Sequence, residues 1–286
     1  MNTESTTLTG AARAAASAFL IAIAPLAAGL GTPTPAVAQG LLSQRVVQAE
    51  ILPGWQTERG TRIAALHLRM EPGWHTYWRV PGEAGIAPRL DWSGSQNVAA
   101  VAPIWPRPQV FVQNGLQSFV YENDLILPLE ITPANPNRPI ALIGDLAIGV
   151  CRDTCVPVDL TVQAALRGTG ERDGRILSAM AAAAEPAARA GLTRTTCRVA
   201  PERRGAALTL RATLPRTGRD EHIVVELPGT GLWISDTRTW REGTDLVAEA
   251  RVRAPGGGAV GIDRSSLAIT VLSESRMVTS QGCVGG

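Results

Sequence analysis

Residues 141–162, ALIGDLAIGVCRDTCVPVDLTV, constrain the fold more than any other stretch. Leu146, Ile148 and Val150 alternate with small or polar residues; beyond them Val156, Val158, Leu160 and Val162 alternate with Pro157, Asp159 and Thr161. A period of two marks strands. Between the runs lies Cys151-Arg152-Asp153-Thr154-Cys155. A short turn at Arg152-Asp153-Thr154 sets the two cysteines opposite each other, where paired strands hold Cα atoms about 4.5–5.5 Å apart, inside the window for a disulfide. Loops run over the surface, so the turn is expected to expose both sulfurs.

The remainder reads as strands too. Residues 45–52, 62–70 and the aromatic run inside GWHTYWRVPGEAG (73–85) are strand candidates, the last bracketed by the turn signals Pro72-Gly73 and Pro81-Gly82. Leu125, Leu127, Leu129 and Ile131 alternate as a core strand, whereas residues 105–121, with Pro and Asn, read as a long connection. Composition shifts near Gly168, and the alanine-rich stretch 176–190 suggests a short helix and turn between domains. Strand patterns resume at Leu208–Leu214, 222–227, 246–252 and 267–271. Short strands with regular turns and no long helical period predict an all-β chain of two β-sandwich domains in tandem.

The 286 residues carry a net charge of +2, and no lysine: all 27 basic residues are arginine, a compositional habit rather than a functional signal. So balanced a charge does not suggest nucleic acid or a membrane surface as the natural partner. At the N-terminus Arg13, an apolar run over 14–30 and Ala36-Val37-Ala38 before Gln39 form the pattern of a cleaved export signal, residues 1–38. The run is marginal for a bilayer span of about 20 residues, and the cleavage site favours removal over an uncleaved anchor. The mature chain is therefore expected outside the cytoplasm, where disulfides persist. The organisation that follows is 39–168 for the first domain, 169–192 for a linker and 193–286 for the second.

Cys151, Cys155, Cys197 and Cys283 allow three connectivities. We prefer Cys151 with Cys155, and Cys197 with Cys283 near the two ends of the second domain. Closing that long loop is worth roughly 4–5 kcal/mol of chain entropy, as befits a staple, while the five-residue ring gains only about 2 kcal/mol. A bond that stabilises little is easily reduced, which suits an exchange site. A structural clip explains the same spacing equally well. A metal site is disfavoured, because two thiolates need two further ligands and the three histidines form no tight motif. His75 is a candidate proton acceptor for a thiol, though a lone strand histidine is more often simply packed. No cofactor other than a redox-active disulfide is called for.

Three motifs in the same order, GWHTYWRVPGEAG (73–85), NGLQSFVYENDLILPLEI (114–131) and GVCRDTCVPVDLTV (149–162), resemble the N-terminal periplasmic domain of the thiol:disulfide interchange protein DsbD and its relative ScsB. The resemblance covers about residues 47–162 and implies an immunoglobulin-like domain whose dithiol lies under a movable cap. It implies that Cys155 makes the mixed disulfide with partners and that Cys151 resolves it. It places the cap at about 110–117, with Phe111 as shield and His75 and Tyr77 lining the site. It also implies a periplasmic location, electrons from a membrane donor of the DsbD/ScsB type, and exported thiol-disulfide proteins as recipients, the membrane being met only through a partner. The C-x3-C spacing is that of ScsB-like members, the acidic cap residues of DsbD are absent, and the second domain resembles the extra β domain of ScsB-like proteins more weakly. The competing reading is a non-catalytic periplasmic binding or assembly module on the same fold, with both disulfides structural.

Overall fold

The computed structural model describes residues 46–235 and 237–286; the expected export signal lies outside them. The first half holds β1 (Val47–Gln56), β2 (Arg62–Met70), β3 (His75–Gly82), β4 (Arg89–Asp91), β5 (Val98–Pro103), β6 (Gln109–Gln113), β7 (Leu116–Glu122), β8 (Asp124–Pro133), β9 (Ile140–Cys151) and β10 (Cys155–Leu166). They form two sheets, β1-β2-β8-β5 and β10-β9-β3-β7-β6, with β4 beside β9. Alternation decides what goes between them. Ala64, Leu66 and Leu68 of β2, Leu125, Leu127 and Leu129 of β8, and Leu142, Leu146, Ile148 and Val150 of β9 join one core with Trp78, Phe119 and Tyr121.

The chain then enters α1 (Gly174–Ala181), within the stretch expected to link two domains, with Asp173 as N-cap: its side chain accepts from the backbone N–H of Arg175 at 2.8 Å. Ile176 packs α1 against Leu52, Trp55, Ile63 and Ala65. That cover explains why β2 is buried on both faces at most positions.

The second half holds β11 (Glu185–Pro186), β12 (Arg194–Glu202), β13 (Gly205–Thr213), β14 (His222–Glu226), β15 (Trp233–Ile234), β16 (Arg238–Glu242), β17 (Asp245–Arg253), β18 (Ala268–Leu272), β19 (Met277–Gln281) and β20 (Val284–Gly285). Its sheets are β11-β19-β18-β14 and β15-β17-β13-β12-β20, with β16 beside β17. A disulfide joins Cys197 of β12 to Cys283 beside β20, as preferred from their positions. The first of these sheets is buried on both faces. Ile223, Val225, Ile269, Val271 and Val278 face the second half's own core, while Val224, Leu272 and Met277 cluster with the core of the first half. This is why His222–Glu226 and Ala268–Leu272 carry consecutive apolar residues rather than strict alternation. Polar contacts cross the same seam: Arg79 makes a two-pronged ion pair with Glu226 at 2.8 and 3.1 Å and lies over the Trp78 ring. The described residues accordingly form one compact unit.

The stretch 105–121, read from sequence as a connection, is instead largely the β6–β7 hairpin. Asn114 and Gly115 at its tip both have positive φ, 54° and 80°. This is the two-residue turn that Asn-Gly makes most readily, so the signal was present in the sequence.

Candidate functional site

The cysteine hairpin folds as its alternation requires. β9 and β10 pair without interruption from Ile140↔Leu166 to Cys151↔Cys155. The cysteine Cα atoms lie 4.1 Å apart, slightly closer than expected, and the sulfurs are bonded. The pair is asymmetric, however. Cys155 is exposed as expected, but Cys151 is only 2 % exposed. The reading that both sulfurs lie open is therefore corrected for Cys151, because neighbouring strands of the same sheet bury it.

Register explains that burial. His75 of β3 sits directly across from Cys151 of β9, so its side chain and that of Tyr77, two residues on, share the cysteine's face. Across β3 the same face continues with Val120 of β7, opposite Tyr77. Tyr77, Val120 and Cys151 form a small buried cluster of their own, with Phe111 of β6 packed onto it. The His75 ring lies 5.1 Å from that of Phe111 and 5.4 Å, edge-on, from that of Tyr77.

Polar chemistry at the sulfurs comes from Tyr77. Its Oη donates a hydrogen bond to Cys151 Sγ at 3.0 Å and lies 3.5 Å from Cys155 Sγ. Burial pushes the Tyr77 phenol pKa up, so it remains a donor at neutral pH. His75 makes ring contacts rather than a hydrogen bond to sulfur. Burial lowers its pKa, only partly opposed by Glu122, and favours the neutral imidazole. The structure thus joins Tyr77 to the cysteines directly and His75 through rings.

Two supports escaped the sequence reading. The first is the turn after β3: a Cβ on Gly85 would lie 2.4 Å from Pro81 Cβ and 2.7 Å from Tyr77 Cδ1, so only glycine lets this turn close on the tyrosine. Ile86, 39 % exposed, then lies against Gly149 of β9. The glycine and turn spacing of PGEAG were visible in the sequence, though not their target. The second is the Arg152 guanidinium, 5.3 Å over the Trp74 ring and bonded to Asp153 at 3.1 Å, which ties the cysteine turn to the turn before β3. Among the described residues no cluster of three or more His, Cys, Asp or Glu could hold a metal ion, and no helix is long and apolar enough to cross a membrane.

Residues 47–166 match the family model described as thiol:disulfide interchange protein DsbD, N-terminal. No curated protein matches the chain. Among solved structures the chain is similar to the N-terminal periplasmic domain of ScsB from Proteus mirabilis, at a TM-score of 0.59 and 22% identity, over 84% of this chain and 92% of that one. That likeness speaks for the fold and runs well beyond β10 into the second half. With the cysteine hairpin at the end of the matched segment, residues 47–166 belong to the DsbD N-terminal family.

Proposed function

We propose that this protein is a periplasmic thiol-disulfide exchange protein, passing reducing equivalents through Cys151 and Cys155 to exported protein substrates. The observation that carries the reading is the asymmetry of the pair: an exposed Cys155 bonded to a buried Cys151 whose sulfur accepts from Tyr77. In the oxidised form a donor thiolate attacks Cys155 Sγ. The Cys151–Cys155 bond breaks, and its electron pair leaves on Cys151 Sγ, where the Tyr77 hydroxyl stabilises the thiolate. The donor's second thiolate then displaces Cys155, leaving a dithiol here and a disulfide on the donor. In the forward step the Cys155 thiolate attacks a substrate disulfide, and Cys151 resolves the mixed disulfide, releasing a substrate dithiol. Two electrons pass in each half-cycle.

Phe111, carried by the β6–β7 arm, is the shield over this bond, and His75 holds the shield and Tyr77 in place. The donor is a membrane protein of the DsbD/ScsB type. The reading includes export by residues 1–38 and immunoglobulin-like halves at 39–168 and 193–286 joined through 169–192. Trapping tests it. Cys151→Ala accumulates mixed disulfides through Cys155 and Cys155→Ala does not. Adducts that depend on Cys151 reverse the roles. If both disulfides of the folded protein resist a mild dithiol together, the binding-module reading replaces this one.

A further inference from the structure

At the pole of the first half opposite the cysteines, the space between the sheets ends at Arg62. Strand alternation puts Arg62 on the same face of β2 as Ala64, Leu66 and Leu68, and the residue is only 5 % exposed. Its Nε donates to Pro53 O at 3.0 Å, Nη1 to Gly168 O at 2.7 Å and Nη2 to Gly54 O at 3.2 Å. All three acceptors are carbonyls; among the described residues no carboxylate meets this buried charge. By contrast Arg59, Arg79, Arg175, Arg219, Arg241 and Arg276 each meet a carboxylate. A buried cation without a counter-ion is costly, and burial lowers its proton affinity with no acidic neighbour among the causes.

A cleft of about 440 Å³ opens onto Arg62, and a second adjoins it. Arg138 and Arg167 line both, and within the described residues neither guanidinium makes a hydrogen bond or ion pair. Among the described residues no Asp or Glu lines either cleft. Gln56 and Asn137 add neutral amides, while Pro133, Pro136, Pro139, Ile140 and Leu166 add a stiff apolar wall. The walls thus carry guanidinium groups and, among the described residues, no carboxylate, and the prolines stiffen the loop.

We propose that this cleft binds a small phosphate-bearing ligand, with the phosphate between Arg138 and Arg167 above Arg62, and the organic part against the proline wall. Three guanidinium groups suit a phosphate dianion, which accepts from several forks at once. The cleft far exceeds a bare phosphate, which leaves room for the organic part. This inference does not depend on the redox reading.

The test titrates the full mature protein with inorganic phosphate against chloride at matched ionic strength, by calorimetry and by thermal shift. Saturable phosphate binding with a raised midpoint is expected. Arg138→Ala and Arg167→Ala are exposed changes that leave the fold intact, and each should weaken phosphate by about tenfold, the scale of one charged hydrogen bond. Reduction of the Cys151–Cys155 bond should be unchanged in both variants. A phosphate effect no larger than that of chloride, or one equal in wild type and the double variant, overturns the site. Binding to phosphatidylglycerol vesicles without uptake of inorganic phosphate overturns the small-ligand assignment in favour of a membrane headgroup.

Discussion

Replacing Tyr77 by Phe removes one oxygen and leaves the ring that packs on Phe111's partner His75 and on the Gly85 turn. What is lost is the 3.0 Å hydrogen bond to Cys151 Sγ. A bond to a charged group is worth about 1.5–3 kcal/mol, and one between neutral partners about 0.5–1.5 kcal/mol. In the folded disulfide the sulfur is neutral, so the variant should lose little stability. In the transition state of reduction, negative charge builds on that sulfur, and the loss approaches the larger figure. The difference of about 1–2 kcal/mol corresponds to a rate roughly 5- to 30-fold slower. The assay is reduction of the Cys151–Cys155 bond by a small dithiol under pseudo-first-order conditions, quenched by alkylation and read by mass, beside the thermal midpoint. A folded Tyr77→Phe protein reduced within twofold of the wild-type rate would refute the argument. It would mean that the phenol packs against the sulfur without stabilising the leaving thiolate.

Gly115→Val forces a β-branched residue to φ 80° at the tip of the β6–β7 arm, at about 1–2 kcal/mol. Reduction of Cys151–Cys155 should speed up several-fold, and an unchanged rate would remove Phe111 from the shielding role. Glu226→Gln leaves the half-buried Arg79 without its carboxylate and should lower stability by roughly 1–3 kcal/mol in denaturant melts; no change would make the seam polar decoration. Replacing Cys197 and Cys283 together by Ala removes a loop closure worth roughly 4–5 kcal/mol. The midpoint should fall while exchange at Cys151–Cys155 persists, and loss of exchange at an unchanged midpoint would contradict this division of labour. Burial holds the pKa values of His75 and His222 below the ordinary 6.5. The unfolded chain therefore binds more protons just below pH 6.5, and stability should drop as pH falls from 7.5 towards 5. Replacing both histidines by Gln should flatten that slope, and a slope equal to wild type would assign it elsewhere.

The hairpin at 141–162 was legible because alternation, turn length and paired cysteines all point to one structure. β2 was read to its exact ends from Leu66, Leu68 and Met70 alternating with His67 and Arg69. The β6–β7 arm was hidden by the prolines just before it, Pro106 and Pro108, although Asn114-Gly115 stated the turn. Cys151's burial lay beyond a linear reading, since it depends on β3 lying beside β9 and on the register that sets His75 opposite the cysteine. Likewise nothing local says that Glu226 meets Arg79, or that Gly85 lies against Tyr77: these contacts join elements far apart in the chain. The consecutive Ile223, Val224 and Val225 stand in the sequence, but which surface covers the second face of their sheet is decided only by the tertiary fold.

The sheet β11-β19-β18-β14 lends one face to each half of the molecule. A substitution at Val224 is therefore judged against the first half's core as much as against its own strand, and the two halves should be inherited as a matched set. A second half taken from a relative would bring a face fitted to other aromatic residues, so exchange between relatives at the α1 crossover would have to carry compensating changes on both sides of the cut. Lineages of such proteins should accordingly vary in step along this surface, even where the cysteine hairpin stays the same.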